Sequence, residues 1–409
     1  MSNAETATKR ARIPVELIIA AGCAISILSF GPRSSIGAFQ RDILVDNVWT
    51  RDVFSLAIAL QNLLWGLGQP LAGAFADKFG AVRVLIAGAL MYAAGLALMG
   101  ASTTPLMFDL SAGVLIGLGL SGASFNLVLG AFGRLVPENR RSMAFGFGTA
   151  AGSLGQFLFS PLAVGLIQSF GWRNTSYIFA VMMLAIVPLA FVLATPRQTQ
   201  AASGEPAQTI GEAIRQAFTH RSYVLLVAGY FTCGFQLAFI TTHFQIYLTD
   251  KGLDPRVGAW AFAMIGIFNM VGSLASGWLG TRMPRRYLLA FIYFSRALTT
   301  AVFLLVPASP ASALVFGAVT GLLWLSTVPP TSSLVGTMFG TRNFAMLFGF
   351  AFVSHQIGGF LGALLGGSIY EATGSYMPVW VLSIVLGVAS ALINLPIEEK
   401  PAAPMVVRA

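Results

Sequence analysis

The two halves of this chain repeat one pattern of long apolar runs and short polar loops, and this repeat limits the folds that the sequence can adopt. The loop GAFADKFGAVR (73–83) joins two apolar runs, and GWLGTRMPRR (277–286) does the same about 203 residues later. Three glycine pairs recur at this offset: Gly31 with Gly234, Gly146 with Gly349, and Gly155 with Gly358. Such a repeat of hydrophobic segments indicates a membrane protein whose binding site lies between the repeats.

The composition favours an all-α membrane protein. Of the 409 residues, 56% are hydrophobic and 10% are charged, whereas soluble proteins carry roughly 25% charged residues. A helix that crosses a bilayer needs about 20 mainly apolar residues. Twelve segments meet this requirement, and we number them helices 1 to 12: 15–40, 52–76, 82–101, 105–133, 140–169, 173–195, 222–248, 256–280, 286–306, 309–339, 343–370 and 376–396.

The chain divides into two pseudo-symmetric six-helix halves. We predict an N-terminal half at 1–195, a cytoplasmic linker at 196–221, a C-terminal half at 222–396 and a cytoplasmic tail at 397–409. Within the linker, the stretch GEAIRQAF predicts a short helix at the membrane surface. The tail is polar, so we expect it to be disordered.

The positions of the basic residues predict the orientation of the chain. With the N-terminus in the cytoplasm, 17 of the 24 Lys and Arg side chains fall on cytoplasmic segments, and five fall on the other side: Arg41, Arg51, Arg173, Lys251 and Arg256. This distribution follows the positive-inside rule, so we expect a multi-pass protein of the plasma (cell inner) membrane with both termini cytoplasmic. The net charge of +9 then reflects topology and does not indicate nucleic-acid binding.

The loop after helix 2 contains glycine, acidic and basic residues in a fixed order: Gly73, Asp77, Lys78, Gly80 and Arg83. Together with twelve helices in two halves, this loop resembles the gate loop of the major facilitator superfamily. The resemblance implies a transporter that alternates access around a central site. We expect Gly73 to allow close helix approach, Gly80 a sharp turn, and Asp77 a contact that latches the neighbouring half.

The second copy of the gate loop differs from the first at the acidic position. Gly277 and the basic cluster are kept, but Thr281 stands where an aspartate would be expected. We therefore predict that the second latch is weaker than the first.

A longer motif lies across helix 5: RRSMAFGFGTAAGS (140–153), followed by Pro161-Leu162 and Gly171-Trp172-Arg173. It is similar to the monocarboxylate porter and oxalate/formate antiporter group, which has two basic residues, Ala-x-Gly, Ala-Gly, a proline and Gly-Trp-Arg. Here the Ala-Gly pair comes one residue late. The same group has an aspartate and an arginine four residues apart in helix 8, where this chain has Asn269 and Ser273.

Arg33 is the main candidate for substrate binding. It lies in the outer half of helix 1 directly after Pro32, and such interrupted helices line cavities in transporters. Monocarboxylate porters have a basic residue after a proline at a similar place, and a guanidinium group suits a carboxylate. The alternative is an arginine that reaches the outer membrane surface. Its counterpart in the second half is Gln236.

His355 is the candidate for proton coupling. It lies near the middle of helix 11, where the oxalate/formate relatives have a lysine. A histidine at this place can donate a hydrogen bond to an anion and can gain or lose a proton near neutral pH. The alternative is a neutral histidine bonded to a backbone carbonyl or to Gln356.

Two further ionisable residues lie at membrane depth. Arg296 is deep in helix 9, which is peripheral in the superfamily, so we expect a partner on helix 8 or 11, near Asn269. Its role is then structural, or it supports the residues that bind the solute. His243 is near the outer end of helix 7 and either contributes to an outer gate or faces water at the headgroups. In helix 10, Pro329-Pro330 predicts a break that forms a hinge or exposes carbonyls to the cavity.

Neutral polar residues on the helices predicted to line or support the cavity complete the candidate site: Asn126, Gln156, Gln236 and Gln356. Each of them alone is explained as well by hydrogen bonding between helices. Together they predict a site for a polar solute.

The sequence contains no nucleotide-binding loop, no nucleophile–base signature and no metal-ligand cluster. Cys23 and Cys233 lie in apolar segments and predict no disulfide framework. We therefore expect a secondary active transporter without cofactors, which works as a monomer in the bilayer. Its predicted solute is a small organic anion, namely a carboxylate, and we expect its transport to be coupled to protons. Uptake of a larger ring-bearing nutrient such as a vitamin is the second hypothesis, and drug or metabolite efflux is the third.

Overall fold

The computed structural model describes residues 13–194, 210–340 and 344–402, and within these ranges the chain forms helices and no strands. The prediction of an all-α protein is confirmed. The N-terminal half contains α1 (Val15–Ser34, followed by Ile36–Phe39 and Gln40–Asn47), α2 (Arg51–Phe79), α3 (Ala81–Gly100), α4 (Pro105–Phe108, Asp109–Leu115, Ile116–Gly122 and Phe125–Leu135), α5 (138–170) and α6 (172–192).

A short linker helix, Ile210–Thr219, precedes the C-terminal half and coincides with the predicted GEAIRQAF helix. The rest of the predicted linker up to residue 209 lies outside the described residues. The C-terminal half contains α7 (Arg221–Asp250), α8 (Pro255–Leu279), α9 (Arg285–Leu305), α10 (Pro310–Leu323 and Val328–Phe339), α11 (Phe344–Thr373) and α12 (Met377–Asn394).

Twelve of these helices are long enough to cross a membrane. By length and composition, ten spans are found among the described residues. The longest, Gly146–Val192, contains Gly171 with φ 78° and ψ 163°, a conformation that ends α5 and lets α6 begin in a new direction. The helix α2, with 29 residues, is also long enough to cross a bilayer. The twelve predicted helices are therefore present.

Polar caps and prolines set the starts of several helices. Asp254 accepts a hydrogen bond from the backbone N–H of Arg256 at 2.7 Å, which caps α8. Ser309 and Ser312 cap each other's backbone N–H groups at the start of α10. In both helices the next residue is a proline, whose missing N–H costs nothing in the first turn.

The repeat in the sequence is a repeat of helix crossings in the structure. A Cβ on Gly155 of α5 would lie 2.6 Å from the carbonyl oxygen of Ile27 on α1. In the second half, a Cβ on Gly358 of α11 would lie still closer to the carbonyl oxygen of Phe231 on α7. Equivalent glycines thus allow equivalent close crossings in the two halves.

The two halves are in contact at one end of the bundle. We call the end where α1 begins and α12 ends the termini end, and the end with the α1–α2 loop the opposite end. At the opposite end, Arg51 of α2 forms an ion pair with Asp250 of α7 at 2.7 Å. Nearby, Ser160 of α5 donates a hydrogen bond to the Ala259 carbonyl of α8 at 2.9 Å. This end of the interface is closed.

The described contacts between the halves extend from the opposite end to the middle of the bundle. Trp65 of α2 still packs edge-on against Phe352 of α11, with the ring centroids 5.5 Å apart. Nearer the termini end, a Cβ on Gly73, Gly146 or Gly349 would have no neighbouring atom within 4 Å. Within the described residues, the interface is closed at the opposite end and less tightly packed beside these three glycines toward the termini end.

The expectation that the tail is disordered is wrong for residues 397–402. Ile397 is completely buried. Glu399 accepts a hydrogen bond from the backbone N–H of Arg286 at 2.9 Å, and its carboxylate lies 3.5 Å from Arg285. The N–H of Ala402 donates to the Met338 carbonyl at 2.8 Å. The tail is polar because it packs against the basic start of α9; residues 403–409 lie outside the described residues.

Candidate functional site

Arg33 lies in the last turn of α1, at a place where the helix changes its hydrogen-bonding pattern. Pro32 precedes it, and after Ser34 the chain continues as the 3₁₀ turn Ile36–Phe39. The side chain is half-buried and turns toward α2, where Nη2 donates a hydrogen bond to Oδ1 of Asn62 at 2.6 Å. Arg33 therefore faces the helix interface and does not extend to the membrane surface.

The surroundings of Arg33 are aromatic and neutral. Its guanidinium group lies over the Trp65 ring, 4.6 Å from the centroid, and 6.0 Å from the Phe30 centroid. Among the described residues it has no carboxylate partner. Its Nε is buried without a hydrogen-bond acceptor, and so is the hydroxyl group of the nearby Tyr92. Two buried polar groups thus remain available beside a single positive charge.

A chain of hydrogen bonds leads from Arg33 to His355 in the other half. The side-chain oxygen of Asn62 accepts the hydrogen bond from Arg33, and the backbone carbonyl of Asn62 accepts a hydrogen bond from Nε2 of Gln356 at 3.1 Å. Oε1 of Gln356 lies 3.0 Å from Nδ1 of His355. Since an amide oxygen only accepts, Nδ1 must carry the hydrogen. The predicted residues Arg33, Gln356 and His355 therefore belong to one polar chain through α1, α2 and α11.

Aromatic rings line the same region on the side of α11. Phe352 stacks against His355 with ring centroids 5.7 Å apart and an angle of 9° between the planes. Tyr230 of α7 lies 5.0 Å from the His355 ring. With Trp65 they form an apolar wall around the polar chain. The sequence analysis singled out none of these three rings, because ring-bearing residues are too numerous in this chain to indicate a site.

The other predicted substrate residues have surroundings of their own. Gln236 donates from Nε2 to the Ser383 carbonyl of α12 at 3.0 Å and accepts from Arg296 at 3.4 Å, so it faces the periphery. Asn126 is exposed on the part of α4 after its interruption. Gln156 is buried against α8, with Nε2 lacking a partner. The pseudo-symmetry that linked Gln236 to Arg33 is thus not kept at the level of side-chain direction.

Arg296 binds to the interruption of α10, and the prediction of a partner on helix 8 or 11 is wrong. Its Nε donates to the Leu323 carbonyl at 3.0 Å, and Nη2 donates to the carbonyls of both Leu323 and Trp324. These carbonyls lack helical partners because α10 stops at Leu323 and resumes at Val328. The interruption precedes Pro329-Pro330, which occupy the first turn of the second segment, as prolines can.

Asn269 supports the same interruption from the other side. Its Oδ1 accepts from the backbone N–H of Leu325 at 3.0 Å and from Ser273 at 3.1 Å. Its Nδ2 donates to Ser153 of α5 at 2.9 Å, which joins the two halves. Asn269 thus satisfies an irregular backbone segment and connects it to the N-terminal half.

The gate loop is described in part. Gly80 has φ 91° and ψ 145°, a conformation that favours glycine, and it separates α2 from α3. Among the described residues, no atom lies within 4 Å of a Cβ placed on Gly73, so the close helix approach expected there stays a prediction. Arg83 is exposed, and the side chains of Asp77 and Lys78 lie outside what is described. In the second copy, Thr281 donates to the Trp278 carbonyl of its own loop at 2.7 Å.

An ion-pair cluster at the opposite end was missed by the sequence analysis. Arg51 binds Asp250 through both terminal nitrogens, at 2.7 and 2.9 Å. It also donates to the Tyr376 hydroxyl at 2.8 Å, and its backbone N–H donates to Glu371 at 2.7 Å. One signal was present: at the repeat offset Arg51 corresponds to Asp254, so the two halves carry opposite charges at equivalent ends.

The arrangement around Arg33 can bind an anion and can do little covalent chemistry. Within the described ranges, no group of three His, Cys, Asp or Glu side chains could hold a metal ion. A single cation, two free donor groups and an aromatic wall suit one negative charge on an apolar body.

Comparison with known proteins places this architecture in a family. Residues 21–360 match the family described as Major Facilitator Superfamily. Monocarboxylate transporter 13 of Rattus norvegicus is 26% identical over 91% of this chain and 86% of its own length. The uncharacterized MFS-type transporter YcxA of Bacillus subtilis is 26% identical over 84% of this chain and 86% of its own. The crystal structure of a mutant of the nucleoside transporter NupG has a TM-score of 0.77 at 15% identity, covering 93% of this chain and 99% of that one.

Proposed function

This chain belongs to the Major Facilitator Superfamily and is a membrane transporter, and we propose that its solute is a small organic anion bound by Arg33. The observation that carries this proposal is the lack of a counter-ion. A cation taken out of water costs several kcal/mol unless it is paired. The contacts with Asn62 and Trp65 offset part of this cost. A bound carboxylate would offset the rest, using the free Nε–H edge of the guanidinium group.

The surroundings favour a solute with one negative charge. Arg33 is the single cation of the Arg33–Gln356–His355 chain when His355 is neutral, so a second carboxylate would be buried without a partner. The rings of Trp65, Phe352 and Tyr230 offer apolar contact to the body of the solute. A relative named as a monocarboxylate transporter supports this class, although the identity of 26% is low.

Transport would proceed by alternating access. We take the closed opposite end, with the looser packing beside Gly73, Gly146 and Gly349, as one of the two states that such a cycle requires. The bond from Gln356 to the Asn62 carbonyl crosses the two halves beside Arg33, so a solute there would contact both halves. The distribution of basic residues supports a plasma-membrane protein with the termini end in the cytoplasm, which makes this state inward-facing.

For proton coupling we propose His355. Its Nδ1–H donates to Gln356, and its ring lies beside Cys233, whose Sγ is 3.3 Å from the Thr327 hydroxyl. A proton on the second ring nitrogen would place a positive charge near the anion and strengthen its binding. Asn269, where the monocarboxylate porters have an acid, is engaged with α10 and cannot carry a proton. The coupling group must therefore lie elsewhere.

Uptake of a ring-bearing nutrient is the second candidate. The aromatic wall favours it, because the rings of Trp65, Phe352 and Tyr230 offer apolar contact to a planar solute. In that case Arg33 would orient a polar edge of the nutrient and would not neutralise a charge. Efflux of drugs or metabolites ranks third, since no observation on the described residues favours it.

A counterflow experiment in proteoliposomes tests the proposal. Vesicles loaded with an unlabelled short monocarboxylate should take up the labelled compound when they contain the wild-type protein. Arg33→Gln should reduce this uptake to background. Arg33→Lys keeps the charge but loses the fork geometry, so it should keep partial uptake. Uptake of neutral ring compounds that is equal in wild type and Arg33→Gln would instead support the nutrient hypothesis.

The coupling proposal has a separate test. His355→Gln should exchange the monocarboxylate as the wild type does but should no longer accumulate it under an imposed pH gradient. Accumulation that follows the gradient as before would remove His355 from the coupling step.

A further inference from the structure

The closed opposite end contains a histidine that the proposed transport site does not use. His243 of α7 is completely buried, which excludes contact with water at the headgroups. Its Nε2 lies 2.9 Å from the Ala363 carbonyl of α11, and its Nδ1 lies 3.2 Å from the Tyr376 hydroxyl. The same hydroxyl accepts from Arg51, which binds Asp250. Two hydrogen bonds through the Tyr376 hydroxyl therefore link His243 to the ion pair that joins the two halves.

The positions of the hydrogens in this cluster follow from its geometry. The Ala363 carbonyl can only accept, so Nε2 of His243 must carry a hydrogen. Arg51 can only donate, so the Tyr376 oxygen accepts from it. The Tyr376 hydrogen is then free to point to Nδ1, which accepts it when His243 is neutral. Every bond of the closed cluster is satisfied when His243 is neutral.

We propose that His243 is a proton-binding site that releases this latch. A proton on Nδ1 turns an acceptor into a donor, so the Tyr376 hydroxyl loses the acceptor of its hydrogen. Two cations, Arg51 and the imidazolium, then share one hydroxyl oxygen. Both effects disfavour the closed cluster, so the latch is held at high pH and released at low pH. The opposite end opens when His243 is protonated.

The other groups around His243 do not cancel the added charge. On α7, Lys251 lies 5.7 Å from the Tyr247 ring and adds a second cation near this end. On α11, Glu371 is engaged with the backbone N–H of Arg51, and the Tyr370 ring lies under the guanidinium group of Arg51 at 3.8 Å. The imidazole itself packs against the ring of Phe239. The acidic groups of the cluster, Asp250 and Glu371, are thus both taken by Arg51.

Unpartnered polar atoms on the closed surface indicate that it is wetted in another state. Next to His243, the hydroxyl of Thr242 is completely buried without a partner. One turn further along α7, Nε2 of Gln245 is in the same situation, as are both amide atoms of Gln40 in the extension of α1. Since buried polar atoms without partners cost free energy, opening to water would stabilise these side chains.

Distance measurements between spin labels test the latch directly. Val45 in the N-terminal half and Ala372 in the C-terminal half are exposed at the opposite end. Labels on Val45→Cys and Ala372→Cys, in a background with Cys23→Ala and Cys233→Ser, report the opening in lipid nanodiscs. Between about pH 8 and about pH 4.5, on either side of the ordinary histidine range, the ratio of long to short distances should rise about tenfold.

The matched variants decide whether His243 is the sensor. His243→Gln keeps a donor for the Ala363 carbonyl without a titratable group, so the distances should not change with pH. Tyr376→Phe keeps the ring and removes the hydroxyl link, and it should abolish the response as well. His220→Gln, at the start of α7, should respond as the wild type does. A wild type without a pH response, or a response that persists in His243→Gln, would overturn the proposal.

No solute is present in this measurement, so its result does not depend on the proposed organic anion. If the labels respond as expected and the counterflow experiment fails, the latch stands and the solute assignment falls. If counterflow succeeds and the labels do not respond, the solute assignment stands and the role of His243 falls.

Discussion

The regions around Arg33 and Arg296 both place an arginine at membrane depth, and they differ in how the charge is used. Arg296 is 5% exposed, and its nitrogens bind the Leu323 and Trp324 carbonyls and Gln236. Arg33 has one hydrogen bond, to neutral Asn62, and a ring beneath it. The first arginine completes an interrupted helix, whereas the second leaves a donor unused.

The difference teaches that depth in the membrane does not by itself identify a binding residue. A charge whose donors are directed mainly to the carbonyls of an interrupted helix replaces missing helical bonds and is needed for folding. A charge with an unused donor, lying between the halves, is available to a ligand. This distinction predicts opposite effects of equivalent substitutions at the two sites.

The largest effect is expected at Arg296. In Arg296→Met, the Leu323 and Trp324 carbonyls lose their donors inside the bilayer, so the free energy of unfolding should fall by about 3–5 kcal/mol. Thermal unfolding of the purified variant measures this loss. Arg282→Met, at an exposed arginine stacked on Trp278, is the control and should change stability by less than about 0.5 kcal/mol. Equal stability of Arg296→Met and the control would contradict the structural role of Arg296.

Substitution of Arg33 should have the opposite consequence: stability is kept and solute binding is lost. In Arg33→Gln, stability should be unchanged or higher, because a half-buried charge without a counter-ion among the described residues is removed. The dissociation constant for the monocarboxylate should rise at least about 30-fold, the effect of losing one partner of a buried charge pair. Isothermal titration measures the second effect. A variant that unfolds easily but binds normally would reverse the comparison between the two arginines.

The next largest loss of stability is expected on substitution of Asn269. Asn269→Ala leaves the Leu325 N–H without its acceptor and Ser153 without its donor, so the expected loss is about 1–3 kcal/mol. Asn126→Ala, at an exposed position, should change stability by less than about 0.5 kcal/mol. Chemical unfolding of the two variants side by side distinguishes them. If both lose the same stability, Asn269 does not support the interruption of α10.

The smallest effect is expected at Gln356. Gln356→Ala removes one neutral hydrogen bond between the halves, worth about 0.5–1.5 kcal/mol. It also separates His355 from the Arg33 side of the chain, so pH-driven accumulation should decrease while exchange continues. A flux assay with and without a pH gradient measures this. Loss of exchange itself would mean that Gln356 contacts the solute.

The helices could be predicted from the sequence because apolar length alone decides them in a bilayer. Twelve segments and their order were correct, and the prediction that a short helix forms in the linker was confirmed at Ile210–Thr219. The tail was misjudged, since its polarity reflects packing against Arg285 and Arg286 and not exposure. Local composition cannot distinguish these two reasons for polarity.

The partners of the buried polar residues could not be predicted. Gln236 and Arg33 occupy equivalent positions in the repeat, but their side chains point in different directions. Arg296 binds the interruption of α10 and also donates to Gln236, so Gln236 faces the periphery. The Arg51–Asp250 latch joins residues 199 positions apart. Such pairs depend on how the two halves meet, and a single sequence contains little information about that.

The most direct test of the central claim compares the melting temperature of wild type and Arg33→Gln with and without a short monocarboxylate. A ligand that binds the folded state raises the melting temperature according to its occupancy. We predict a concentration-dependent rise for the wild type and none for Arg33→Gln, although the variant alone melts at the same or a higher temperature. An equal rise in both proteins would contradict the assignment of Arg33 as the anion-binding residue.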